Sequence, residues 1–227
     1  MSNVLTLYHG SEAIRQVPVF GQGNPFNDYG LGFSCTENID LAKEWACADT
    51  RGGFVNSYSI DTDGLEILCL NAKEYHILNW LAILLENRTF DIKAAVARQT
   101  KEYILEHFLP DYKHFDIIVG YRADDSYFSF SRAFLENLIS LEQLQRAMHL
   151  GRLEEQVVIK SRKAFERIRF QQAEYADGGV YYPLRQKRDR QAREGYFKLQ
   201  EEATAADAVY AIDLLRQNWQ NDDPRLF

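Results

Sequence analysis

The chain is poor in sulfur and in proline, with three cysteines, two methionines and five prolines in 227 residues. An odd cysteine count at no metal-ligand spacing excludes a disulfide framework and a metal site, and it points to a reducing compartment. Cys35, Cys47 and Cys69 are expected to be small buried residues. Long apolar runs are lacking as well: the stretch 77–85 is too short to span a bilayer. Residues 1–7 carry no basic segment ahead of a long apolar run, so no signal peptide is read and the expected location is cytoplasmic, with no membrane partner. Positive charge is in deficit, with 26 Lys and Arg against 33 Asp and Glu for a net charge of −7. That argues against a globally basic nucleic-acid-binding surface and leaves a local one open. There is no internal repeat and no low-complexity tract.

What the chain does have is apolar bulk. Hydrophobic residues make up 46% and aromatics 13%, enough for a sizeable core. The length suits one generous domain or a domain with a helical appendage. In order, a strand over 4–8 leads into His9-Gly10-Ser11, and a loop runs over 18–29. Residues 33–36 alternate as a strand. Asn38 then caps a helix to 49 that carries Leu41, Ala42, Trp45 and Ala46 on one face. Strands are expected over 54–60 and 65–70, joined as a hairpin through the turn 61–64. Helices follow over 72–87 and 92–107, then an apolar strand over 114–121. Further helices span 125–137 and 140–150, the second opened by a Ser140/Gln143 capping box. Strands over 155–160 and 164–171 complete the set. From Ala173 the composition shifts: Gly178-Gly179 and Pro183 read as a linker, with helices over 184–202 and 204–219. Strands and helices without regular alternation predict an α+β fold. The expected division is a domain over 1–172 and a linker with a C-terminal helical extension over 173–227.

Three stretches carry the chemistry: Tyr8-His9-Gly10-Ser11, then Asp28-Tyr29-Gly30-Leu31-Gly32-Phe33-Ser34-Cys35-Thr36, then Glu155-Gln156-Val157-Val158-Ile159. Taken alone, Gly30-x-Gly32 before a strand is a tight turn or a place of close ligand approach. In this order, and with Gly120-Tyr121-Arg122-Ala123-Asp124-Asp125, the set resembles the ADP-ribosyltransferase superfamily in its poly(ADP-ribose) polymerase and diphtheria-toxin-like branch. Within that branch it is most similar to a bacterial domain-of-unknown-function family, over roughly the first 170 residues. The resemblance implies a split β-sandwich with inserted helices. It also implies NAD as co-substrate and transfer of ADP-ribose to a protein, nucleic-acid or small-molecule acceptor. A role as a bacterial toxin or defence protein, with an antitoxin as partner, is implied by resemblance alone.

Cleaving nicotinamide from ribose needs a grip on the carboxamide and a negative charge beside the developing cation. Backbone N–H and C=O at a glycine can supply the first; by resemblance that is Gly10, with Ser11, Tyr29, Gly30, Gly32, Phe33 and Ser34 completing the NAD site. His9 can hydrogen-bond a sugar hydroxyl while neutral. Glu155 sits where the superfamily places the carboxylate that stabilises an oxocarbenium-like transition state. Without the family pattern, His9 reads as a turn histidine and Glu155 as a solvated residue at a strand start.

Ser34 departs from the pattern, because the family stacks a tyrosine there. Three outcomes stay open: a rim aromatic (Phe33, Tyr29 or Phe26) replaces it, the serine supports the glutamate, or catalysis is lost and binding is kept. The last makes the chain a pseudoenzyme that acts as an NAD- or ADP-ribose-binding interaction module. The stripe Arg185, Lys187, Arg188, Arg190 and Arg193, beside Tyr181-Tyr182, reads as a solvated face or a local anion contact. Tyr127, Phe128, Phe130 and Phe134 follow helical spacing and are expected in the core. The C-terminal helices are expected to recognise the acceptor or to cover the site.

Overall fold

A computed structural model describes residues 3–123, 125–150, 155–202 and 205–227, and of Asp125 the backbone. The elements run β1 (Val4–Ser11), β2 (Phe33–Cys35), α1 (Ile39–Ala46), β3 (Gly53–Asp61), β4 (Ile67–Cys69), α2 (Ile77–Asn87), α3 (Ala95–Phe108) and β5 (Ile117–Gly120). They continue with α4 (Asp125–Leu135), α5 (Leu141–Ala147), β6 (Gln156–Ile159), α6 (Arg162–Phe165), β7 (Ile168–Ala176), α7 (Gly178–Glu201) and α8 (Ala211–Arg216). The class is α+β, with one three-stranded sheet ordered β1-β3-β7 and one four-stranded sheet ordered β2-β6-β5-β4.

Leu7, Cys35, Tyr58, Ile60, Ile117, Val157 and Ile159 fill the space between the sheets. Strand alternation sends Leu68, Ile118 and Val158 to the other side of the four-stranded sheet, where they pack on α2, α4 and α5. On the outer face of the three-stranded sheet, Ala42 and Ala46 of α1 meet Val55 and Ala176. Small residues allow that close approach, and Gly10 is the tightest point: a Cβ there would sit 2.1 Å from the Ala42 carbonyl oxygen.

The local signals are realised. The Asn38 side chain accepts from the N–H groups of Asp40 and Leu41, and Ser140 with Gln143 forms the capping box of α5. Tyr127, Phe130 and Phe134 are buried, with Phe128 packed against them. Cys35 and Cys47 are buried, whereas Cys69 on the short strand β4 is half-buried.

Three expectations are corrected. The hairpin between 54–60 and 65–70 does not form, because both edges of β3 are taken by β1 and β7. β4 instead pairs in parallel with β5 in the other sheet. The strand expected over 164–171 begins later, since Ser161 accepts from the Ala164 N–H and caps the short helix α6. The stretch read as a linker is the end of β7 and the first turn of α7, capped by Asp177. A boundary at 172 therefore falls inside a strand. Residues 173–227 do not stand apart either: Ala192, Leu199, Ala211, Leu214, Trp219 and Leu226 are buried in the same cluster as α2 and α3.

Candidate functional site

Among the described residues one backbone bridge joins the edges of the two sheets, at Tyr8 and Thr36, and beyond it the strands part. Tyr8 and Thr36 exchange both hydrogen bonds, at 2.8 and 2.9 Å. The antiparallel register they set would bring Gly10 opposite Ser34, but β1 and β2 have separated there. Residues two apart on a strand direct their N–H and C=O groups to the same side. Since Tyr8 directs its pair at β2, the N–H and C=O of Gly10 point into the gap. A cavity of about 380 Å³ opens there, with His9, Gly10 and Ser34 in its lining.

His9 is fixed at the mouth of this gap. Its Nδ1 lies 2.7 Å from the Ser34 carbonyl oxygen, and because a carbonyl only accepts, Nδ1 carries the proton. Nε2 is then the acceptor of a neutral ring. Burial holds the imidazole below its ordinary 6.5; the Ser34 carbonyl opposes this, while Arg15 and Arg122 push the same way as burial. The Phe33 ring packs 4.4 Å from the imidazole.

The opposite wall is built on Asp28, which is buried. Its carboxylate accepts from Arg88 at 2.9 Å, from the Ala123 N–H at 2.8 Å and from Gln156 Nε2 at 3.4 Å. This clamp ties the loop before β2 to α2, β6 and the segment after β5. Nearby, Lys160 donates to the carbonyl oxygens of Tyr29 and Leu31, and burial lowers its ammonium to about 8.

The sequence-derived residues divide. His9, Gly10 and Ser34 line one cavity, and Phe33 supports His9. Ser11 lies beyond, donating to the Ala13 carbonyl at 2.7 Å and accepting from Asn56. Gly30 has φ +70°, and a Cβ there would meet Asn87; at Gly32 a Cβ would meet Val158 and Ile159. Both glycines thus serve the turn and its packing on β6. Tyr29 is not a rim aromatic: it is buried and donates to the Tyr121 carbonyl at 2.7 Å. Phe26 is 62% exposed and does line the cavity.

Glu155 precedes β6 and shares the parity of Val157, whereas Gln156 shares that of Val158. Gln156 therefore reaches the cavity beside Asp28. Glu155 accepts from Asn71 and lines a separate concavity with Thr36, Glu37 and Val157. Glu154 and Asp124 lie outside the described residues.

The sequence did not mark Asp28, Arg88, Trp45, Arg122 and Gln156 as lining residues, and it left Arg185 between a solvated face and a local anion contact. Parity was hidden in Gln156 because Val157 and Val158 are both apolar. Arg122 stacks 4.0 Å over Trp45, and Arg185 of α7 donates to the Cys47 carbonyl at 3.2 Å. These three also line a second cavity of about 270 Å³ between α1 and α7. There Arg188 grips buried Glu44 with two bonds of 2.8 Å, so the basic stripe is partly turned inward rather than a solvated face.

Among the described residues no helix is long and apolar enough to cross a membrane. No curated protein and no solved structure matches the chain. A family model described as a protein of unknown function (DUF3990) matches residues 5–170, from β1 into β7, and the chain belongs to that family.

Proposed function

We propose that the protein is an ADP-ribosyltransferase that takes NAD as co-substrate, on the split two-sheet fold of that superfamily. The observation that carries this reading is the parting of β1 from β2, which leaves the N–H and C=O of Gly10 facing a cavity beside neutral His9. A primary carboxamide has one acceptor and one donor edge, complementary to that backbone pair. In this reading Nε2 of His9 accepts from a ribose hydroxyl, a role that protonation would abolish.

In the transfer, the bond between ribose C1′ and the nicotinamide nitrogen breaks and its electron pair leaves with nicotinamide. C1′ then takes a lone pair from an acceptor oxygen or nitrogen, which sheds its proton. The superfamily resemblance assigns the carboxylate that stabilises the cationic ribose to Glu155, whose side chain accepts from Asn71. Because Glu155 lies outside the lining of the His9 cavity, one second reading has support: a module that holds NAD or an ADP-ribosyl group without turnover.

Purified protein given labelled NAD and cell extract separates these readings, with nicotinamide release and labelled adducts followed by mass spectrometry. Release with adducts supports the transferase, and binding without release supports the module. No binding at millimolar NAD sinks both.

A further inference from the structure

We propose that α7 is a wall of the dinucleotide site, and that the cavity between α1 and α7 takes the second nucleoside of a diphosphate-bridged dinucleotide. This rests on the reading above and adds to it a helix that lies beyond the family-matched residues 5–170. The two cavities, about 380 and about 270 Å³, share Trp45, Arg122 and Arg185 in their linings. Each is of a size for one nucleoside half, and together they fall in the range of small-molecule sites.

Charge at the junction fits a diphosphate. In a chain of net charge −7, the second cavity is lined by four arginines, 122, 185, 188 and 193, against the carboxylates Glu44 and Asp189. Glu44 is engaged by Arg188 and Asp189 by Arg193, both at salt-bridge distance. Arg185 is exposed and commits one donor to the Cys47 carbonyl, so its planar fork keeps donors for phosphate oxygens. Tyr182, half-buried, also lines the second cavity. A ligand gripped by its amide at Gly10 would pass the Trp45–Arg122–Arg185 wall before reaching Tyr182.

The test is calorimetry of the full chain with NAD and with nicotinamide riboside, which lacks both phosphates and the second nucleoside. Arg185→Met keeps the aliphatic stem, and losing one charge-assisted contact should weaken NAD about tenfold or more. Riboside affinity should fall much less than NAD affinity, because Arg185 only borders the first cavity, and Arg185→Lys should recover part of the NAD loss. Tyr182 lines the second cavity and not the first, and it also packs on the Ala42/Ala46 cluster. Tyr182→Phe should keep that packing and bind both ligands like the parent, whereas Tyr182→Ala should weaken NAD and spare the riboside, and it carries the comparison if Arg185→Met does not fold. Parent-like NAD affinity in Arg185→Met and Tyr182→Ala overturns the inference and leaves the transferase reading standing. Equal losses for both ligands overturn it too, since the helix would then act on the Gly10 end. A parent that binds no NAD removes the reading itself.

Discussion

The His9 imidazole donates through Nδ1 to the backbone carbonyl of Ser34 at 2.7 Å, across the point where β1 and β2 part. This bond fixes both the tautomer and the orientation of the ring. Long-range proton–nitrogen spectra should therefore show His9 as the Nδ1–H tautomer at pH 7. An Nε2–H tautomer would remove the acceptor on which the sugar contact depends.

Burial sets the sign of the His9 pH response. Its folded pKa lies below 6.5, so the unfolded chain binds the proton first as pH falls. The stability of the neutral ring is present above pH 6.5 and is lost as pH drops from there through the lowered folded value. His76 is held low by burial in the same way. Urea midpoints of the parent should fall from pH 7 to pH 5, and His9→Gln should fall less. Equal slopes would show that His9 does not contribute.

Gly10→Ala tests the packing beneath the site. The added Cβ would lie 2.1 Å from the Ala42 oxygen and 2.6 Å from the Ala46 nitrogen, both backbone atoms that cannot rotate away. Overpacking of this kind costs about 1–3 kcal/mol, read from chemical denaturation. A parent-like midpoint would mean that α1 is not seated on β1 as described.

Glu155 and Gln156 are adjacent yet face different ways, so their substitutions should part company. Glu155→Gln should lower nicotinamide release about 10²-fold with NAD affinity little changed. Gln156→Leu removes a donor to buried Asp28 and should weaken NAD binding and stability together. If the glutamate variant retains full turnover, the module reading gains.

Phe26 is an exposed aromatic in the lining of the His9 cavity. Phe26→Ala should weaken nicotinamide binding by about 1 kcal/mol. Tyr29→Phe should instead cost stability, because it removes the bond to the Tyr121 carbonyl.

Truncation after Asp177 should give an insoluble or unfolded product, because Leu199, Trp219 and Leu226 are buried in the same core as α2 and α3. Asn79 also bonds Asn221 at 2.6 Å, tying the C-terminal segment to α2. A folded, monomeric fragment by circular dichroism and sedimentation would contradict this.

Asn38 as a cap, the Ser140/Gln143 box, the apolar strand expected over 114–121 and found as Ile117–Gly120, and the α+β class were all legible in the sequence. Each depends on residues within a few positions of one another, where capping geometry and side-chain periodicity act without the rest of the fold. The partner of β4 was not legible, because it depends on both edges of β3 being occupied by strands far away in the chain. Nor was the parity that separates Glu155 from Gln156, since an apolar run reads alike in either register. Arg185 read as one charge of a stripe that was either a solvated face or a local anion contact. Only the packing of α7 against α1, more than a hundred residues earlier, turned it into the wall of a cavity. Local structure follows from short-range sterics and hydrogen bonding, whereas a site is a meeting of distant side chains that burial of the core decides.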